Sequence, residues 1–88
     1  MWKFSKHVLQ RMEERNFYDD ELLQILNKNV TTIVVPSPKD KTVDLYFGKV
    51  KNKYIMVVVN RNTCNVVTVR NMRKNEKIAY MDGVNNVN

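Results

Sequence analysis

LLQILNKNVTTIVV, residues 22–35, contains the one change of hydrophobic period along the chain. Before Asn29 the apolar residues recur at the spacing of an α-helix. After Asn29 the β-branched residues predominate and follow the pattern of a strand. We therefore expect helices on the N-terminal side of this stretch and strands on its C-terminal side.

Two helices are predicted before the change of period. The first runs from about Lys6 to Arg15 and begins after Ser5, whose side chain suits the N-cap position. The second runs from about Asp19 to Asn27 and opens with three acidic residues, which suit the positive end of the helix dipole. Residues 16–18 separate the two helices.

Strands are predicted after the change of period, with short turn-forming runs between them. Their expected bounds are Thr31–Val35, Thr42–Lys49, Tyr54–Asn60 and Asn65–Arg70. Short links permit antiparallel hairpins, whereas a parallel pair needs a crossover of about a dozen residues or more. The predicted fold is therefore α+β, with two N-terminal helices packed on one face of a four-stranded antiparallel sheet. Residues 71–82 are expected to form either a basic helix or an irregular arm, and residues 83–88 a frayed tail.

Length and composition limit the protein class. With 88 residues, 43% hydrophobic and 27% charged, the chain has the size and composition of one globular domain spanning residues 1–88, neither fibrous nor membrane-spanning. Cys64 is the only cysteine, so the sequence predicts no internal disulfide and no multi-cysteine metal site. It contains no P-loop, GxGxxG or zinc-binding pattern, so we expect no cofactor. Because the N-terminus has no signal-peptide pattern, we expect a cytoplasmic protein. The apolar runs are too short to span a membrane and the spacing of metal ligands is absent, so we expect no membrane or metal partner.

The positive charge is distributed unevenly along the chain. Up to Asn27 the net charge is −1, whereas from Lys28 onward it is +7, which together give the formal charge of +6. A basic surface of this kind favours a polyanionic partner, either nucleic acid or an acidic protein. The alternative is that the charge serves solubility alone.

The first predicted helix carries the first half of a candidate site. His7 is the only histidine, and Arg11 follows it at the i+4 position, so both lie on one flank beside the apolar residues that face the core. His7 is a candidate general base and Arg11 a candidate phosphate ligand. The structural alternatives are a surface histidine packed near Trp2 or Phe4, and an arginine paired with Glu14.

The last predicted strand carries the second half of this site. With period two, Val66, Thr68 and Arg70 share one face, and Val67 and Val69 share the other, which we expect to pack on the helices. Thr68 and Arg70 would then point away from the helices near the end of the strand. A helix at the border of the sheet could bring the two halves together.

This residue set fits metal-independent cleavage of RNA through its own 2′-hydroxyl. The reaction needs a base, cations for the charge that develops on phosphorus, and an acid for the leaving oxygen. Histidine and arginine side chains could supply the first two. The predicted catalytic residues are His7, Arg11, Thr68 and Arg70. The predicted RNA-binding residues, some of which could act as the acid or stack on bases, are Arg15, Tyr46, Lys53, Tyr54, Arg73, Lys74, Lys77 and Tyr80.

The segment SKHVLQRMEERNFYDDELLQIL, residues 5–26, contains the pattern H-x-x-x-R-M-x-x-R. It resembles the opening of a small family of uncharacterised domains that ends in a strand of the form x-V-V-T-V-x, here Asn65–Arg70. The resemblance covers about Ser5 to Arg70. The family is similar in turn to the RelE-like and barnase-EndoU-colicin-RelE ribonuclease toxins. It implies a RelE-like fold and endoribonuclease activity, with the predicted catalytic residues as site positions. A C-terminal catalytic tyrosine or basic residue of such toxins would correspond to Tyr80 or Lys77.

Two functions of different class follow from these patterns. The first is a toxin-type endoribonuclease that cleaves mRNA or tRNA and is silenced by an acidic antitoxin or immunity protein, existing as a monomer or in that complex. The second is a non-catalytic accessory module that binds nucleic acid or protein, as in phages and mobile elements. Cleavage of RNA distinguishes the two.

Overall fold

The computed structural model describes residues 1–85, and its elements confirm the predicted α+β class. The two N-terminal helices and the four predicted strands are present, the C-terminal segment forms the helix that was one of its two predicted alternatives, and a two-residue strand is added. In chain order the elements are β1 (Lys3–Phe4), α1 (Lys6–Glu14), α2 (Asp19–Leu26), β2 (Thr32–Pro36), β3 (Val43–Val50), β4 (Lys53–Asn60), β5 (Asn65–Asn71) and α3 (Lys74–Asn85).

Local side-chain contacts set the ends of the first two helices. The Val8 N–H donates to Ser5 Oγ at 3.2 Å, which confirms the predicted N-cap of α1. Asn16 has a φ of 58° and ends α1, because Asn adopts the left-handed conformation at little cost. The Tyr18 N–H donates to Glu21 Oε1 at 3.0 Å at the start of α2.

The strands form one sheet in the order β1-β5-β4-β3-β2. Strands β2 to β5 form the predicted antiparallel meander. The expectation of four antiparallel strands is wrong in one respect, since β1 adds to β5 in parallel, with Phe4 opposite Val66. A long connection permits parallel pairing, and most of the chain lies between these two strands. A two-residue strand is too short to leave a periodic signal in the sequence.

Helices cover both faces of the sheet rather than one. We call the face covered by α1 and α2 the helix-pair face and the face covered by α3 the α3 face. The buried apolar residues on the helix-pair face are Val8, Met12, Phe17, Leu22, Ile25, Leu26, Val50, Ile55, Val57, Val59, Val66 and Val69. Those on the α3 face are Met56, Met72 and Tyr80, bordered by the half-buried Ile33, Leu45, Phe47, Tyr54, Val58 and Val84.

A β-bulge changes the pattern of β5. Val66 lies opposite Val59 and Thr68 opposite Val58, so Val67 is the extra residue of this strand. Val66 and Val69 are therefore buried on the helix-pair face, whereas the Val67 side chain is 45% exposed. The prediction that Val67 packs under the helices is wrong, because a strict period of two does not hold across a bulge.

The open question between a helix and an arm is resolved in favour of a helix, α3. This helix includes Gly83, which was predicted to lie in the frayed tail. A Cβ at Gly83 would approach Ile33 Cδ1 to 2.6 Å, so the glycine lets α3 pack closely on β2. Residues 86–88 of the predicted tail lie outside the described residues. Within residues 1–85, no helix is long and apolar enough to cross a membrane.

Candidate nucleic-acid interface

The four predicted catalytic residues lie on opposite sides of the sheet. α1 packs on the helix-pair face through Val8 and Met12, and its outer surface carries the exposed His7 and the half-buried Arg11. Together with Gln10 and Glu14, these two residues line a shallow depression of about 380 Å³. Thr68 and Arg70 point to the α3 face, opposite Val58 and Met56 respectively. The two halves of the predicted site therefore do not converge.

Arg70 is held in an ion pair. Its two terminal nitrogens donate to Glu76 Oε1 at 2.7 Å and to Oε2 at 2.8 Å. Hydrogen bonding to this carboxylate raises the pKa of Arg70, and the same guanidinium lowers the pKa of Glu76. Glu76 Oε1 also accepts the Arg73 N–H at 2.7 Å, at the start of α3. Arg70 thus fixes α3 to the end of β5.

Arg15 and Lys53, both predicted to bind RNA, are engaged with the protein itself. Arg15 Nη1 donates to the Val69 carbonyl at 3.2 Å and joins the end of α1 to β5. Lys53 Nζ donates to Glu21 Oε1 at 3.0 Å and to the Asn16 carbonyl. The Glu21 side chain is fully buried, so Lys53 balances a charge that solvent does not reach.

Tyr46 and Tyr80, also predicted to bind RNA, contribute to the two cores. Tyr46 packs edge-on against Trp2 on the helix-pair face, with ring centroids 5.9 Å apart. Tyr80 is 7% exposed and donates its hydroxyl proton to the Thr31 carbonyl at 2.6 Å. Burial raises the pKa of both phenols, so both keep their protons at neutral pH.

Lys49, Tyr54 and Lys77 come together on the α3 face, and we call them the Tyr54 cluster. Lys49 Nζ lies 5.2 Å and Lys77 Nζ 5.1 Å from the centre of the Tyr54 ring. Tyr80 supports this ring from the core in an edge-on contact at 6.2 Å. Tyr54 is half-buried, and its hydroxyl lies 3.9 Å from Met81 Sδ at an exposed position.

Two separate parts of the fold build this cluster. Lys51 and Asn52 have φ values of 50° and 68°, so they form a tight two-residue turn between β3 and β4. The turn sets a register in which Lys49 lies opposite Tyr54. α3 then crosses the same face and places Lys77 beside the ring.

Lys49 and Lys77 differ from Arg70 and Lys53, which each form an ion pair with a glutamate. Within residues 1–85, no carboxylate lies at ion-pair distance from Lys49 or Lys77. The exposed Arg73 and Lys74 lie at the start of the same helix and also form no ion pair in that range. Beside the ring is a depression of about 340 Å³ lined by Thr31, Lys49, Tyr54, Tyr80, Met81, Val84 and Asn85.

Sequence reasoning found part of this cluster. Tyr54 and Lys77 were predicted as RNA-binding residues, but Lys49 was missed. The signal was present in VKNK, residues 50–53, because a two-residue turn there pairs Lys49 with Tyr54 directly. The predicted strand ends, Lys49 and Tyr54, leave a four-residue link between them, which does not specify the register.

Comparison of the chain with protein-family models, with curated proteins and with solved structures finds no match. The resemblance to ribonuclease toxins therefore stays a prediction. Within residues 1–85, no group of three or more histidine, cysteine, aspartate or glutamate side chains is placed to hold a metal ion.

Proposed function

We propose that the protein binds single-stranded RNA at the Tyr54 cluster. One base would stack at the Tyr54 ring, and the flanking phosphates would contact Lys49 and Lys77. The observation that carries this proposal is that two lysines without a carboxylate partner within residues 1–85 flank one half-buried aromatic ring. This is the non-catalytic function predicted from the sequence.

The lysines of the cluster are suited to a phosphate ligand because little holds them in the free protein. A cation–π contact at an exposed site contributes about 0.5 to 1 kcal/mol. A phosphate can draw such an ammonium group away without breaking an ion pair. Arg70 is different, because a phosphate would first have to displace Glu76 from both of its terminal nitrogens.

The surrounding charge extends the same surface. Arg73 and Lys74 are exposed at the start of α3, and the chain as a whole carries a formal charge of +6. Stacking on tyrosine tolerates any base, so we expect weak sequence preference and strong salt dependence. Single-stranded DNA offers the same stacking and phosphates, and the choice of RNA follows the resemblance described above.

Fluorescence anisotropy with a labelled oligouridine at two salt concentrations tests the proposal. Replacing Tyr54 by Leu should weaken binding by about 1 to 3 kcal/mol, whereas Tyr54→Phe keeps the ring and should change it little. The pair Lys49→Gln and Lys77→Gln should lower the salt slope by about 1.4, since each phosphate contact on a single strand contributes about 0.7.

The matched control is the pair Lys39→Gln and Lys41→Gln, which removes the same charge from the turn between β2 and β3. That turn lies at the opposite end of β3 from the Tyr54 cluster. Equal losses from both pairs would indicate non-specific attraction and would contradict a defined site. A duplicate titration with oligodeoxyuridine shows whether the 2′-hydroxyl contributes.

Endoribonuclease activity is the second candidate, and one observation favours it. The depression on α1 places an imidazole, a guanidinium and a carboxylate side by side, from His7, Arg11 and Glu14. These groups could supply a base, a charge stabiliser and an acid without Thr68 or Arg70. Incubation with total RNA in EDTA, for wild type, His7→Ala and Glu14→Gln, tests this function. If the wild-type protein leaves the RNA uncut, the endoribonuclease candidate is excluded and RNA binding is the remaining proposed function.

A further inference from the structure

The outer edge of β2 is open. This strand ends the sheet, and the Ser37 N–H beyond it donates to the Val43 carbonyl at 2.9 Å. Because backbone N–H groups alternate in direction along a strand, those of Thr32 and Val34 point away from β3. Pro36 occupies the next outward position and has no N–H to expose. The edge therefore offers main-chain groups over a short stretch only.

An apolar groove runs beside this edge, between β2 and α3. It has a volume of about 230 Å³ and is lined by Ile33, Val35, Phe47, Glu76, Ala79 and Tyr80. Val35 is 38% exposed there. A strand added to β2 would point every second side chain to the α3 face and so into this groove.

Three exposed lysines flank the edge. Lys28 precedes β2, and Lys39 and Lys41 follow it, and none forms an ion pair within residues 1–85. Of the nearest carboxylates along the chain, Asp44 is paired with Arg61, whereas Asp40 accepts hydrogen bonds from Thr42 and keeps its charge, so Lys39 and Lys41 leave this end with a net charge of +1. Both ends of the edge are therefore positive.

This charge decides between possible occupants. A second copy of the chain paired through its own β2 would bring lysines of both copies together, which is unfavourable. A nucleic acid could meet the lysines but offers no strand backbone for the N–H and C=O groups. An extended acidic polypeptide satisfies the backbone, the groove and the lysines together.

We propose that the β2 edge binds an extended acidic segment of another protein by strand addition. The segment pairs with the outward main-chain groups of Thr32 and Val34, and its alternate apolar side chains enter the groove. Its carboxylates lie near Lys28, Lys39 and Lys41. The groove adjoins the depression beside Tyr54 at Tyr80, but it uses none of Lys49, Tyr54 and Lys77, and strand addition does not depend on RNA binding.

Titration of ¹⁵N-labelled protein with a decapeptide of alternating valine and glutamate tests the proposal. The amide signals of Thr32 and Val34 should shift, and their hydrogens should exchange at least about tenfold more slowly in the complex. The amide shifts of Lys49 and Lys77 should be smaller than those of Thr32 and Val34, because the Tyr54 cluster only adjoins the groove. The substitution Val34→Pro removes the one strand-central outward donor and should weaken binding about tenfold. Trp2 emission checks that this variant folds.

Two forms of the peptide keep the test independent of any protein variant. Methylation of the backbone nitrogens on alternate residues should abolish binding in the form whose N–H groups face β2, and should leave the other form active. A lysine-for-glutamate peptide should bind at least about tenfold more weakly because it repels the flanking lysines.

Four results with the peptide or with RNA would overturn the proposal, and so would self-association through the edge. They are absence of peptide binding, equal binding of both methylated forms, perturbation confined to the Tyr54 cluster, and slowed exchange at Val34 caused by an RNA decamer instead of the peptide. Concentration-dependent dimerisation through Val34 without peptide would assign the edge to a second copy. Loss of RNA binding in Tyr54→Leu should leave peptide binding unchanged, so failure of the proposed function and failure of this inference are distinguishable.

Discussion

The two faces of the sheet are built differently although the same strands supply both. On the helix-pair face, α1 and α2 close over a continuous apolar cluster in which Leu22, Ile25 and Ile55 have no exposed surface. On the α3 face a single helix crosses the strands, and many apolar residues there stay half-buried. The difference indicates that the first face supplies most of the folding free energy and that the second remains accessible to ligands.

The cations of the two faces follow the same division. Lys53 and Lys49 flank the tight turn between β3 and β4 and point to opposite faces. Lys53 meets the buried Glu21 at 3.0 Å, whereas Lys49 lies over the Tyr54 ring without a carboxylate partner in residues 1–85. One lysine belongs to the core and the other is available for a partner.

The largest expected difference between the faces concerns their isoleucines. Replacing Ile55 by Ala should destabilise the protein by about 3 to 4 kcal/mol, because this fully buried side chain leaves a cavity. The same change at the half-buried Ile33 should cost about 1 kcal/mol. Urea unfolding followed by Trp2 emission measures both. Equal losses would mean that the α3 face contributes as much to stability as the helix-pair face.

A pair of lysine substitutions should separate the faces by a smaller amount. Lys53→Met leaves the Glu21 carboxylate buried and unbalanced and should cost about 2 kcal/mol. Lys49→Met removes only an exposed contact with Tyr54 and should cost less than about 0.5 kcal/mol. Chemical denaturation measures the free energies of unfolding. A large cost for Lys49→Met would place this residue in the structural framework and remove it from the proposed binding site.

Two glycines give a third comparison of the same kind. A Cβ at Gly48 would lie 2.7 Å from Ile25 Cγ1, inside the dense helix-pair core, so Gly48→Ala should cost about 1 to 2 kcal/mol. A Cβ at Gly83 would lie 2.6 Å from Ile33 Cδ1, the far end of a side chain that can rotate away, and alanine favours the helix, so Gly83→Ala should cost less than Gly48→Ala. Thermal unfolding of both variants checks this, and a greater loss at Gly83 would contradict the looser packing of the α3 face.

The smallest expected effect is the pH dependence of the α3 attachment. Arg70 lowers the pKa of Glu76 below its ordinary value of 4.5, so the ion pair stabilises the fold above that pH and is lost as the pH falls further. Glu76→Gln should cost about 1 kcal/mol at pH 7 and should show a shallower loss of stability below about pH 4.5. Unfolding curves from pH 7 to pH 3 measure this, and parallel curves for the two proteins would argue against the role of the pair.

Much of the fold could be predicted because its signals are local. The N-cap at Ser5, the change of period near Asn29 and the alternation within the strands each involve residues close in sequence. The parts that were missed depend on distant pairing. The parallel contact of Phe4 with Val66 and the bulge at Val67 have no counterpart in local periodicity.

The candidate site shows the same limit. Tyr54 and Lys77 could be proposed from residue type alone, since aromatic and basic residues suit nucleic acid. The neutralisation of Arg70 by Glu76 could not, because it depends on where α3 returns to the sheet. The engagement of Lys53 by Glu21 depends in the same way on α2, far away in the sequence.

Local sequence patterns specify the α+β class, the two N-terminal helices, the meander and the positive charge of the C-terminal two-thirds. Within residues 1–85, long-range packing determines which cations lack a carboxylate partner and which strand edge stays open. The physical reason is that hydrophobic period and net charge are properties of short segments or of the whole chain. Charge neutralisation and edge pairing are instead properties of individual contacts between distant residues.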